Sequence, residues 1–470
     1  MQQENKINQP LKIVSITLAV LLIMSFIKFD YFIESANFNL RNVDLLMDIK
    51  EEPVNEAPMN NIIDGEQKHI NYASFGFVNF PNDILRILEP REAPTTNPAF
   101  YQGKKTPITG NTKQLSYFLD ALKNAKSKSV RIAHYGDSAI EGDLVSSDLR
   151  EALQSKFGGN GVGWLGIVSQ DITFRTTTKH SFGGDWEAAS VYTSNPKGLP
   201  LGISCEANIP KGNAWVQYQT TTSRRYLKDF SVVKLYYSKA KNSQIKYSFD
   251  GGAPQTVQLS MASGLQELIL KPSGKAKTVK IEFPVSDQAT VYGVSLENEP
   301  GVYIDNLPLR GNSGVDLQQI NPALLKDFAK LLDYKLIVLE FGLNIAGARA
   351  DYTWYEREML KVINNLKAAF PKTSIVMVSV HDKAMKKGSS FVTDPSIVRL
   401  LQTQKSIAEK AGVAIWSLFD AMGGENSMPN WVNANPPLAF KDYIHFNDQG
   451  AKKVAQLFSE ALLDEFNKHK

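Results

Sequence analysis

One cysteine in 470 residues, Cys205, is too few for an internal disulfide framework or a cysteine-based zinc site, and it reads as a small buried apolar group. Concentrated charge is missing too. The formal net charge of +4 is small for this length, and no basic block or Arg-rich stripe accompanies it, so no nucleic-acid partner is expected. No internal repeat is present, which excludes a repeat architecture. What remains is an ordinary globular composition, 43% hydrophobic and 21% charged, in a chain long enough for two or three cores.

Long apolar runs are also scarce, and the one of note is terminal. Residues 13–27, IVSITLAVLLIMSFI, carry no charge and are bracketed by Lys12 and Lys28. The run sits at the upper end of a signal-peptide core and just short of the ~20 residues of a spanning helix, which snorkelling lysines can extend. Only Ala36 offers a cleavage position, among bulky or charged neighbours. An uncleaved anchor over 1–30 is therefore expected, with a cleaved signal peptide as the alternative. Either way the bulk of the chain belongs outside the cytoplasm. The expected location is the cell envelope (periplasmic), held to the inner membrane.

Residues 31–110 are rich in Asn, Pro and Glu and read as a stalk and surface segment. From 111 to 167 a helical pattern, TKQLSYFLDALKNA, precedes a short buried strand, SVRIAHYG, and helical spacing resumes after Ser138. Residues 168–300 change character: AWVQYQT, FSVVKLYYS, SQIKYSF, TVKIEFPV and TVYGVSLEN alternate between turn signals, as in an all-β sandwich or jelly roll. Over 301–470 strand candidates YKLIVLEFG, TSIVMVSV and VAIWSLF alternate with helix candidates at 321–333, 353–370, 395–411 and 448–468. That order builds a largely parallel sheet, so the parse is one α/β domain split by a β-rich insertion.

In an open α/β sheet, functional groups gather at the carboxyl ends of the strands. Three such ends carry suitable residues: Gly136-Asp137-Ser138, Gly342-Leu343-Asn344, and Asp442 three residues before His445. A serine needs a base to become a nucleophile, and the base needs an orienting acid, roles open to His445 and Asp442. Acyl transfer also needs donors aimed at the developing oxyanion, which the Ser138 N–H, the Asn344 amide and a glycine N–H in LRGNSGVDL (Gly314 rather than Gly311) can supply. Each piece has a bland reading as well. Ser138 can cap a helix starting near 141, Asn344 can satisfy its own loop, and Asp442 or Asn447 can cap the last helix. His134 reads as structural. The Gly-x-Ser-x-Gly elbow of the α/β-hydrolases is absent around Ser138.

Taken in order, Gly136-Asp137-Ser138, the glycine of NSG, Gly342-x-Asn344 and Asp442-x-x-His445 resemble the four sequence blocks of the SGNH (GDSL) hydrolases. The resemblance covers about 111–167 and 301–470. It implies a flavodoxin-like three-layer α/β/α fold and a catalytic triad of Ser138, His445 and Asp442. It further implies an oxyanion hole of Ser138, Gly314 and Asn344, with no metal or cofactor. More narrowly, VRIAHYGDSAIEGD, FGGNGVGWLG, AMGG and KDYIHFNDQGAKKV around a β-rich insertion resemble the peptidoglycan O-acetylesterases. Those enzymes remove acetyl esters from the muramic acid C6 hydroxyl, and their insertion resembles a carbohydrate-binding module. This chain departs from them with FGLNIAG, where many members carry threonine beside the Asn, and with GDSA for GDSL. Neither change touches a catalytic atom. The implied substrate is an acetylated envelope polysaccharide. Trp186, Trp215, Tyr236 and Tyr237 are candidate stacking faces for it. An O-acetyltransferase with the same triad and an inert glycan-binding protein are the rival readings.

Overall fold

Seven consecutive buried residues, Val130–Gly136, form the strand on which the rest is organised. It is covered on both faces and lies inside a parallel sheet, so its residues are mostly apolar, with Arg131 and His134 the exceptions. Across that sheet the order is Ile108–Gly110, Ala414–Trp416, Ser374–Val378, Tyr334–Glu340, Val130–Gly136 and Val302–Pro308, with only the Ile108–Gly110 edge antiparallel. Successive side chains point to opposite faces. Ala133, Tyr135, Ile337 and Leu339 share a core with helices Pro322–Leu332, Thr353–Ala369 and Pro395–Ala411. Ile132, Ile304, Leu336 and Val338 share another with Ser116–Lys123, Ser146–Phe157 and Asp448–Lys468. Three layers result, α/β/α, as the motif resemblance implies. Proline at the first turn after an asparagine or aspartate cap starts two of the helices, at Asn321-Pro322 and Asp394-Pro395.

The computed structural model describes residues 103–169, 175–193, 195–285, 289–298, 300–347 and 351–469. The apolar run at 13–27 and most of the expected stalk lie outside them. Among the described residues no helix is long and apolar enough to cross a membrane.

Between Gly163 and Glu297 the strands are antiparallel and form two sheets. One runs Gln255–Gln258, Gln244–Phe249, Thr278–Val285, Ala214–Thr220, Thr178–Gly183. The other runs Gln266–Leu270, Val232–Ser238, Thr290–Glu297, Glu206–Pro210, Trp186–Ser190, and Gly163–Leu165 also pairs with Thr290–Glu297. Val216, Tyr218, Val279 and Ile281 meet Val233, Leu235 and Val291 in a core between the sheets. The second sheet turns its other face, Tyr236 and Tyr292, toward Phe328 of helix Pro322–Leu332. Trp164 fills that junction, and Gly293 is required beneath it because a Cβ there would stand 2.2 Å from the indole.

Strand Val302–Pro308 is hidden in the sequence by Asp305 and Asn306. Both are buried, and both have partners that explain why. Asp305 accepts from Arg131 Nε (2.7 Å), Arg131 Nη2 (2.9 Å) and the Tyr334 hydroxyl (2.7 Å). Arg131 also pairs with Glu297 at the end of the antiparallel region. A buried charge is tolerated when paired in this way.

Candidate active site

The parallel sheet aligns its carboxyl ends: Gly136 lies opposite Pro308 on one side and Glu340 on the other. Gly136 has to be small, since a Cβ would stand 3.0 Å from the Glu340 carbonyl and the Ile140 side chain. Directly beyond it a 3-10 turn, Ser138–Asp143, carries the serine, and its cap is Asp137 rather than Ser138. The helix expected to start near 141 begins at Ser146 instead. Gly142, Asp143 and Val145 have positive φ values of 67°, 70° and 56°, which no helix accepts. Arg150 locks this bend with a two-pronged contact to Asp143 (2.7 and 2.8 Å). Burial pushes the Asp143 carboxyl up, but Arg150 and Arg175 outweigh it and hold the group below its ordinary value.

Ser138 Oγ lies 3.5 Å from His445 Nε2, and His445 Nδ1 lies 2.8 Å from Asp442 Oδ2. The first distance is at the outer limit of a hydrogen bond, as is common before substrate binds. Asp442 Oδ1 meanwhile accepts the backbone N–H groups of Ile444 (2.9 Å) and His445 (3.1 Å). Burial opposes its ionisation, yet the His445 ring and these two N–H groups keep the carboxyl below its ordinary value. The last helix is capped by Asn447, which accepts from Gly450 N, so Asp442 is not its cap. The Asp442 and His445 side chains are 42% and 45% exposed, leaving the base open to water.

Two of the three expected oxyanion donors, the Asn344 amide and the Gly314 N–H, are occupied. Asn344 Nδ2 donates to Asp137 Oδ2 (3.1 Å) and to the Asn312 carbonyl (3.0 Å). Gly314 is buried with φ 90°, and its N–H donates to Asn312 Oδ1 (2.7 Å). Gly311 is exposed with open space around it. Asp137 thus does more than hold a turn: one oxygen caps Ala139 N (3.0 Å) and the other holds the Asn344 amide. Burial raises its carboxyl to about 7 against the Ala139 N–H, and Glu340 adds to the rise. Sequence reading misses this link because the partners stand 207 residues apart.

His134 sits deeper. It contacts Glu340 Oε2 through Nε2 (3.0 Å) and Ser146 Oγ through Nδ1 (2.8 Å), and Asn306 donates to the same hydroxyl (2.9 Å). Cys205 is buried, and burial raises its thiol above the ordinary range.

A cavity of about 210 Å³ opens between the two parts of the fold, and Glu141, of the 3-10 turn that carries Ser138, lines it. Glu141, Pro308 and Arg310 line it on one side, with Phe182, Ser190 and Asn208 on the other. The four aromatic candidates fare differently. Trp186 packs edge-on against Phe283 at 5.3 Å and donates to the Gly183 carbonyl (3.1 Å). Trp215 lies on the outward side of its strand, covering Gly183, with the Lys280 ammonium 5.4 Å from its ring centre. Tyr236 and Tyr237 are buried and offer no stacking face, a correction to the expectation. Both belong to cores, and the Tyr237 hydroxyl accepts from Ser260 N.

Neither a family model nor a curated protein sequence matches the chain. Among solved structures it is similar to a peptidoglycan O-acetylesterase, with 19% identity and a TM-score of 0.64 over 77% of this chain and 99% of that one. Weaker matches include a family two carbohydrate esterase from Cellvibrio japonicus (10% identity, TM-score 0.25, 63% of this chain and 99% of that one). An acetyl xylan esterase also matches (18% identity, TM-score 0.27, 34% of this chain and 80% of that one). At such identities the likeness is one of architecture: the chain shares the fold of that peptidoglycan O-acetylesterase.

Proposed function

We propose that this protein is a serine esterase that removes O-acetyl groups from a cell-envelope polysaccharide, with peptidoglycan the leading candidate. The observation that carries the reading is the relay from Ser138 Oγ through His445 to Asp442 at the carboxyl ends of a parallel sheet. Ser138 attacks the acetyl carbonyl while His445 takes its proton, and Asp442 holds the ring and stabilises the cation that forms. His445 then returns the proton to the departing sugar hydroxyl, leaving acetyl on Ser138. Water, activated by the same base, releases acetate. The Ser138 N–H and the Asn344 amide stabilise the oxyanion, the amide by exchanging the Asn312 carbonyl for the substrate oxygen while Asp137 keeps hold of it. Gly314 enters this hole by giving up its contact with Asn312.

The exposure of His445 favours hydrolysis over transfer to a second sugar, because an acyl-enzyme open to water is short-lived. The cavity beside Glu141 and Arg310 is where the rest of the glycan lies in this reading. The antiparallel region serves as a glycan-binding module inserted in the hydrolase domain, with Trp215 as its outward stacking face and Trp186 as a second contact. Residues 1–30 anchor the protein in the inner membrane, with the enzyme on the periplasmic side.

The test is acetate release from O-acetylated peptidoglycan, compared with acetylated xylan and alginate. Fastest release from peptidoglycan supports the reading, and release from another glycan alone moves the substrate. Acetyl transfer to a glycan outpacing hydrolysis makes the protein a transferase, and no turnover of any ester leaves it a binding protein.

A further inference from the structure

Asp442 and His445 are only three residues apart, yet their side chains meet. The chain has to reverse between them, and it does so at Tyr443, whose φ is 58°. Glycine takes that conformation freely, whereas a tyrosine pays for the approach of its Cβ to the following carbonyl. A strained residue persists only where its surroundings over-determine it. The surroundings here come from another part of the chain. Strands Ala384–Lys387 and Ser390–Thr393 form a small hairpin of their own, with Lys386 opposite Phe391. The Phe391 ring stacks on the Tyr443 ring with centroids 3.6 Å apart and planes 7° from parallel. The same segment grips the backbone, for Ala384 N donates to the Tyr443 carbonyl (3.0 Å). His381 Nε2 meets the Ile444 carbonyl (2.9 Å).

We infer that Phe391 is a positioning residue for the Asp442–His445 pair, its ring clamping Tyr443 in the left-handed conformation that turns the acid toward the base. The hairpin does not touch the reacting atoms. It sets the position from which His445 faces Ser138, and a misplacement of about an ångström costs up to roughly a hundredfold in rate. This inference rests on the esterase reading of the triad.

The experiment measures kcat and KM for a small aryl acetate in four variants beside Ser138→Ala. Phe391→Ala is expected to lower kcat by roughly tenfold or more with KM little changed, and Phe391→Tyr to restore it. Tyr443→Gly removes the need for the clamp, so adding Phe391→Ala to Tyr443→Gly is expected to cost less than about twofold. A role in folding alone would not produce that rescue. Circular dichroism screens each variant, and Phe391→Leu, which fills the space without a planar ring, replaces an alanine variant that does not fold. Full kcat in Phe391→Ala, or an equal loss with glycine at 443, overturns the inference. A Ser138→Ala protein that stays active overturns the triad reading instead, so the two failures are distinguishable.

Discussion

Asp137→Asn separates what Asp137 does as a charge from what it does as a shape. In the fold its carboxyl is buried and raised to about 7, against an ordinary value of 3.8. The sign follows from linkage. A carboxyl raised by folding contributes stability that is fully present below its unfolded value, is lost as pH climbs toward the folded value, and changes no further above it. Full ionisation in place costs about 4 kcal/mol on this basis, and about 2 kcal/mol of that falls between roughly pH 5.5 and pH 8. Asparagine keeps the size and the oxygen that caps Ala139 but cannot ionise. It also loses the acceptor for Asn344, a penalty present at both pH values. Urea unfolding of both proteins at the two pH values gives the difference of differences. The variant is expected to gain about 2 kcal/mol relative to the parent on going to the higher pH. Parallel stabilities at the two pH values would refute the reasoning, because Asp137 would then not titrate in that window.

Three further outcomes follow from the same contacts. Asn344→Ala is expected to lower kcat on an aryl acetate by roughly a hundred- to a thousandfold with KM little changed, and a loss below about tenfold means the amide stays with Asp137 and Asn312 throughout. Arg150→Met leaves the buried Asp143 with Arg175, 3.5 Å away, as its cation, and urea unfolding should register a loss of about 3 kcal/mol. Cys205 should resist an aromatic disulfide reagent in the folded protein and react within the unfolding transition, and prompt labelling of the native state would place its thiol at the surface.

The parallel strands Val130–Gly136, Tyr334–Glu340 and Ser374–Val378 were legible because they are almost wholly buried and mostly apolar, as in Leu336–Leu339 and Ile375–Val378, with Arg131 and His134 the interruptions in the first. The long helices were legible by their apolar spacing, and at Asn321-Pro322, Asp394-Pro395 and Asn447 a cap also marks the start. Strand Val302–Pro308 was not, since the polar Asp305 and Asn306 become intelligible only beside Arg131, Tyr334 and Ser146. The start of helix Ser146–Phe157 was obscured by helical spacing across a bend that positive φ values impose. At the site, the Ser138, His445 and Asp442 side chains lie within 3.5 and 2.8 Å of one another in series. Which donors are engaged could not be read, because hydrogen bonds such as Asn344 to Asp137 join loops far apart in sequence. The clamp of Phe391 on Tyr443 was equally invisible, for nothing local distinguishes that phenylalanine from a core residue.

The central claim is that Ser138 is a nucleophile activated by His445. A fluorophosphonate ester, which mimics the acyl group and traps an activated serine, tests it by mass spectrometry of the digested protein. The account predicts one adduct on the peptide carrying Ser138, formed at a rate that falls roughly a thousandfold in His445→Ala. An adduct on another serine, or labelling of Ser138 that proceeds equally well without His445, would contradict it.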